Sequence, residues 1–215
     1  MKKINVAVDG YSSVGKSTIA KRLAQYAGYT YVDTGAMYRA VALYCLQSGE
    51  EPLEAVQHIT VDFDNDNRVR LNGQDVEDQI RTLEVGNKAS QISPIPEVRH
   101  FLVAQQQKMG ESKGIVMDGR DIGTVVFPDA ELKIFLTASP EVRAMRRYKE
   151  LIGKGVTGIT LEEVARDVAD RDYRDTHREE SPLKQAADAY VLDNSDRELE
   201  DQLRELEALL EERRA

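Results

Sequence analysis

Apolar positions recur along the chain in two rhythms. Residues 4–9, Ile-Asn-Val-Ala-Val-Asp, form a short and nearly continuous apolar run, the pattern of a buried strand. From residue 17 to 27 the rhythm changes to four-residue spacing, with Ile19, Leu23 and Ala27 on one side and Gly28 as a stop, which predicts a helix. Residues 29–32 predict a second strand and 36–47 a second helix, closed by Gly49. Strand, helix, strand, helix is the order of a parallel sheet with crossover helices.

The rhythm then breaks. Residues 59–64 and 68–72 predict paired strands around the turn-rich triplet Asn65-Asp66-Asn67, a local antiparallel piece inside an α/β chain. Helices are expected over 83–91 and 97–108, separated at Pro94 and Pro96. Strands follow at 114–118 and 132–136, then a helix over 140–152 and a flexible joint, Gly153-Lys154-Gly155. Thr160 and Glu163 have the spacing of a capping box that opens a helix running to about 178. A last strand over 189–192 and an amphipathic helix over 198–213, with Leu199, Leu203, Leu206 and Leu210 on one stripe, complete the chain.

Composition adds bounds. The 215 residues suit one domain, with 41% hydrophobic and 31% charged residues in an ordinary globular balance. A net charge of −9 argues against non-specific nucleic-acid binding, so any basic pocket on this acidic chain is worth locating. The single cysteine, Cys45, excludes an internal disulfide and reads as a core residue in a reducing compartment. The opening apolar run is too short for a secretory signal and no segment is long enough for a membrane span, so a cytoplasmic location is expected. His58, His100 and His177 have no metal-ligand spacing.

The chemistry begins after the first strand. Gly10-Tyr11-Ser12-Ser13-Val14-Gly15-Lys16-Ser17-Thr18 contains G-x-x-x-x-G-K-[ST] between a strand and a helix, the context that a phosphate-cradling loop requires. Gly10 and Gly15 free the backbone to turn its N–H groups inward, and the helix start adds its positive end. Lys16 brings a cation to the outer phosphates of a nucleoside triphosphate, and Ser17 offers a hydroxyl to Mg²⁺. Guanine reading needs Asn-Lys-x-Asp, whereas Asn87-Lys88-Ala89-Ser90 ends in serine, so a GTPase switch is disfavoured and a small-molecule kinase leads.

A second cluster belongs to the acceptor. Asp33-Thr34-Gly35-Ala36-Met37-Tyr38-Arg39 follows the second strand, and Asp118-Gly119-Arg120-Asp121 follows a later one, both where parallel sheets open to ligands. Together with Glu77-Asp78-Gln79-Ile80-Arg81-Thr82, with Asn87-Lys88-Ala89-Ser90, with the run from Asp118 through Ile122-Gly123-Thr124-Val125-Val126-Phe127-Pro128-Asp129 to Ala130, and with Arg171-Asp172-Tyr173-Arg174-Asp175, the chain resembles bacterial cytidylate kinases from Val6 to Asp193. The resemblance implies a P-loop NTPase three-layer α/β core with a parallel sheet, an antiparallel monophosphate-binding insertion at about 60–82 and a short helical lid at about 148–178, all within one domain. It implies transfer from ATP, with Mg²⁺, to CMP or dCMP and more weakly to UMP, by a monomer.

The resemblance also implies residue roles. Thr34, Arg39, Arg120 and Arg178 would handle the acceptor phosphate. Ser90, Arg99 and Asp121 would read cytosine, and Asp175 would hold the ribose. Arg147, Arg171 and Arg174 would be lid arginines that meet the transferred group. Apart from the resemblance, Asp118 is expected to act on Mg²⁺ through a water. Tyr11 departs from the family, which usually has proline there, and this bears on loop rigidity.

Elementary chemistry agrees. A carboxylate at Asp121 accepts from the N4 amino group of cytosine and repels the oxygen that uracil places there. Arg171, Arg174, Asp175 and Arg178 sit at helical offsets that share one face, as do Arg143 and Arg147 on the preceding helix. Two rivals stay open: a UMP-preferring or broad pyrimidine kinase, and a nucleotide-binding switch with no acceptor.

Overall fold

The computed structural model describes residues 2–64 and 66–215. Its main sheet contains β1 (Asn5–Gly10), β2 (Thr30–Asp33), β6 (Ile115–Asp118), β7 (Leu132–Thr137) and β8 (Tyr190–Asp193) in the order β2-β6-β1-β7-β8, with every pair parallel. Alternation along β1 feeds both faces. Val6 and Val8 pack with Leu23 of α1 (Lys16–Ala27) and Leu206 of α8 (Leu199–Arg214), whereas Ala7 packs with Met117 and Ile122 on the other face. Helix, sheet and helical segments therefore form three layers, with β1 buried at every position.

A second core lies beside the sheet. It joins α2 (Thr34–Ser48), α4 (Leu83–Ile92) and α5 (Pro96–Met109) to a three-stranded antiparallel sheet of β3 (Val61–Phe63), β4 (Val69–Leu71) and β5 (Gln74–Asp75). A third, small cluster of Leu151, Val164 and Val168 packs α6 (Pro140–Gly153) on α7 (Leu161–His177). Between these helices Gly155 and Gly158 take left-handed angles, and the Thr160–Glu163 capping box is formed as the spacing predicts.

The differences from expectation have local causes. Helix α2 begins at Thr34 rather than Ala36, because the Asp33 side chain accepts from the Ala36 N–H at 3.0 Å and caps it there. The expected hairpin has a third strand. Asn72 and Gly73, with φ of 51° and 77°, turn β4 into β5. Both residues of β5 are exposed, so no alternation marks it. Of the triplet Asn65-Asp66-Asn67, Asn65 lies outside the described residues; Asn67 is left-handed at φ 58°. Two short pieces were not expected: α3 (Pro52–Ala55) and a π-helical turn, Ile122–Val126. Helix α7 stops at His177, and Arg178 is extended. Cys45 is buried and free, and burial pushes its thiol up. No helix among the described residues is long and apolar enough to cross a membrane.

Candidate active site

The carboxyl ends of β1, β2 and β6 open into one cleft of about 540 Å³. Ten basic and five acidic side chains line it, so a locally positive pocket sits on an acidic chain.

The loop at its base is shaped by its glycines. A Cβ at Gly10 would lie 2.2 Å from the Leu136 carbonyl oxygen of the neighbouring strand, so only glycine lets the chain leave β1 there. Gly15 caps α1 at φ 91°. Tyr11, the departure from the family pattern, meets Phe135 edge to face at 5.9 Å and lies under the Arg143 guanidinium at 5.1 Å. Arg143 in turn pairs with Asp172 of α7 and donates to the Ser12 carbonyl at 3.3 Å, while the Ser12 N–H donates to Asp172 at 3.2 Å. The loop is thus braced from α6 and α7, and Arg143 serves this brace rather than the cleft wall that its neighbour Arg147 lines.

The cation in the loop is poorly compensated. Lys16 donates to the Tyr11 carbonyl at 2.7 Å and is buried; burial first, and then Arg120, push its ammonium down to about 7. Above it Ser17 donates to Asp118 at 3.1 Å and Tyr31 donates to the other Asp118 oxygen at 2.6 Å. Burial, with the neighbouring Asp33 charge, raises Asp118 to about 6. A hydroxyl and a buried, under-compensated carboxylate are hard oxygen donors that suit Mg²⁺.

Asp9, a residue the sequence assigns only to the end of a strand, holds the acceptor wall in place. Its carboxylate accepts from the Ile122 and Gly123 N–H groups at 2.8 and 2.7 Å and so pins the π-helical turn to β1. Burial outweighs these bonds and raises it to about 6. The folded state therefore retains a proton that the unfolded chain releases near pH 4. Between about pH 4 and 6 this group makes the fold less stable as pH rises, by on the order of 3 kcal/mol in all. Carboxyl-carbon NMR should show Asp9 titrating near 6; a midpoint near 4 would contradict this account.

At the far end Asp121, 6% exposed, pairs with Arg99 and lies 3.5 Å from Arg178, which are 2% and 9% exposed. Arg120 pairs instead with Asp175 at 2.8 Å. Arg39 lines the wall between the two ends, half-buried and without an ion-pair or hydrogen-bond partner among the described residues; burial lowers its pKa. The Thr34 hydroxyl donates to the Asp118 backbone carbonyl at 2.7 Å, so its proton is engaged within the wall.

The fold brings most of the residues singled out from sequence to this cleft: Ser12, Ser13, Val14, Gly15, Lys16, Ser17, Thr18, Thr34, Arg39, Ser90, Arg99, Asp118, Arg120, Asp121, Arg147, Arg171, Asp175 and Arg178. Gly10 and Tyr11 lie behind the loop and shape it. Arg174 is a correction. It does not line the cleft, and its Nε donates to the Asp170 carbonyl at 3.2 Å. At about 100° per residue, Asp175 lies to one side of Arg171 and Arg174 to the other, and the cleft takes the Asp175 side. Arg178 reaches the cleft from beyond the helix end, so it does not belong to a helical face.

Three groups have no role in the sequence reading: Arg146 is not singled out, and Arg81 and Asn87 appear there only within motifs. Arg146 binds Asn194 and lines the cleft. Arg81 bridges Asp33 and Glu77, and its four-residue spacing from Glu77 was a usable signal. Asn87 accepts from Arg171 at 2.8 Å, joining α4 directly to α7.

A phosphate loop after the central strand of a parallel sheet, facing a second cationic wall, defines a P-loop kinase. Solved structures of a shikimate kinase from Bacteroides thetaiotaomicron and a gluconokinase from Sinorhizobium meliloti share the fold. Both have a TM-score of 0.53, at 12% and 13% identity, covering 97% and 99% of this chain and 98% and 94% of theirs. The cytidylate kinase family profile matches residues 6–212. Cytidylate kinases of Parabacteroides distasonis and Bacteroides thetaiotaomicron are 57% and 54% identical, each over 94% of this chain and 94% of their own. The chain belongs to the cytidylate kinase family, and it is a phosphotransferase.

Proposed function

We propose that the cleft transfers the γ-phosphoryl group of ATP to CMP or dCMP, giving ADP and CDP or dCDP. A phosphate oxygen of the acceptor forms the new bond to the γ-phosphorus as the bond to the β,γ-bridging oxygen breaks, and ADP leaves. The observation that carries this reading is the pairing, in one cleft, of the Lys16 loop with a separate wall holding Arg39, unpaired among the described residues, and the Asp121–Arg99–Arg178 group. A regulatory switch has no use for the second half.

The roles are those that the resemblance to cytidylate kinases implies, and the chemistry of the cleft suits them. The loop N–H groups and Lys16 hold the donor phosphates. Arg39 and Arg120 hold the acceptor phosphate. Arg147 and Arg171 supply positive charge beside the transferring group, where phosphoryl transfer is governed by position and charge neutralisation, while Arg178 lies between Asp121 and Asp175 on the acceptor side. Asp175 takes the ribose, while Ser90, Arg99 and Asp121 take the base. Ser17, directly or through water, and Asp118, through water, would hold Mg²⁺, which would neutralise charge on the ATP phosphates. The insertion at 60–82 closes on the acceptor and the segment 148–178 closes as a lid that excludes water. The protein acts as a cytoplasmic monomer and, being acidic, without nucleic acid.

The test is ADP release from Mg-ATP with CMP, dCMP, UMP, AMP and GMP supplied separately. Fast turnover with CMP and dCMP, slower with UMP and negligible with purines is expected. Equal CMP and UMP rates would keep the kinase and remove the Asp121 role. No acceptor-dependent turnover would remove the whole reading.

A further inference from the structure

One polar group at the base end has no part in the roles assigned so far. The Tyr38 hydroxyl is buried and has no hydrogen-bond partner among the described residues. Tyr38 lies on α2 and lines the cleft, and the Arg99 guanidinium sits over its ring at 5.7 Å from the centroid. Its other charged neighbours are Asp121, Arg178 and Asp175, the groups that enclose the base and ribose end. Burial pushes the phenol up to about 12, so it carries its proton at neutral pH. A buried donor without a partner costs free energy, and this one belongs to a side chain that lines the cleft.

We propose that the Tyr38 hydroxyl is a binding group for the pyrimidine ring of the acceptor, making its hydrogen bond to the O2–N3 edge of the ring once the nucleotide is in place. The inference rests on the reading of the cleft as a pyrimidine nucleotide site. Asp121 is an acceptor only and takes an N–H of the base. The O2 oxygen is an acceptor in cytosine and in uracil, whereas N3 is an acceptor in one and an N–H in the other. A hydroxyl both donates and accepts, so it satisfies either base. Tyr38 therefore adds affinity without choosing between pyrimidines, and the choice stays with the Asp121 carboxylate. The ring has a separate task, as the surface on which Arg99 rests.

The test is Tyr38→Phe in the full chain, which removes the hydroxyl and keeps the ring under Arg99. Michaelis constants for CMP, UMP and Mg-ATP are measured together with the thermal unfolding midpoint of the nucleotide-free enzyme. The KM values for CMP and UMP should both rise by about three- to tenfold, the scale of one hydrogen bond. Their ratio and the KM for Mg-ATP should stay as in the wild type. The unfolding midpoint should be equal or higher, because an unpartnered buried hydroxyl has been removed. Unchanged KM for CMP with a lower midpoint would overturn the proposal and make the hydroxyl a structural group. A changed CMP-to-UMP ratio would overturn it by making Tyr38 a selecting residue. If the wild type does not use CMP, the underlying reading falls first, and that result needs no variant.

Discussion

Lys16→Ala is expected to lower turnover by about 10³-fold or more with every acceptor, the scale of losing a cation that stabilises the transferring phosphoryl group. The structure adds a second, opposite expectation for stability. Among the described residues Lys16 has no carboxylate partner and donates only to the Tyr11 carbonyl, and burial already presses it toward its neutral form. Removing it relieves a desolvated charge and leaves one carbonyl to repair. The unfolding midpoint should hold or rise while activity collapses. A coupled ADP assay and a thermal melt check both halves. If activity and midpoint fell together, Lys16 would be holding the loop's shape rather than phosphate.

Asp121→Ala is expected to have two large effects. Its carboxylate is the shared counter-charge of Arg99 and Arg178, all three being nearly inaccessible to water. Deleting it leaves the buried Arg99 without an ion-pair partner among the described residues and Arg178 with only Asp175, at 4.0 Å, which costs about 3–5 kcal/mol and, for a chain of this length, lowers the unfolding midpoint on the order of 10 °C. The second effect is on choice of base. With no carboxylate to accept from N4 or to repel the uracil oxygen, the CMP-to-UMP ratio of kcat/KM should fall at least about tenfold toward unity. That ratio does not depend on the fraction of enzyme folded, so the two effects separate cleanly. A lower midpoint with an unchanged ratio would leave Asp121 a purely structural counter-ion.

The pairing that links these effects was not visible in the chain. Asp121 stands next to Arg120, and adjacency suggests that the two belong together. In the fold Arg120 turns to Asp175, 55 residues away, and Asp121 turns to Arg99 and Arg178. Neighbours in an irregular turn point apart, so sequence adjacency says little about which charges meet. The same holds for Asp9. As a residue it ends an apolar run; in the fold its two backbone bonds fasten the acceptor wall to the central strand.

What the sequence determined by itself is what depends on local order. The phosphate loop needs Gly10, Gly15, Lys16 and Ser17 at fixed spacing between a strand and a helix, and that spacing is complete within one short segment. The Thr160–Glu163 cap and the parallel order of elements are local in the same sense. What tertiary structure decided is which distant groups share a solvent-free space. It placed Tyr38 beneath Arg99, turned Arg174 away while Arg171 and Asp175 faced inward, and used Arg143 of α6 and Asp172 of α7 to brace the loop that carries Tyr11. Charges take their partners from the packing of whole elements, because burial makes an unpaired charge costly wherever it falls in the chain.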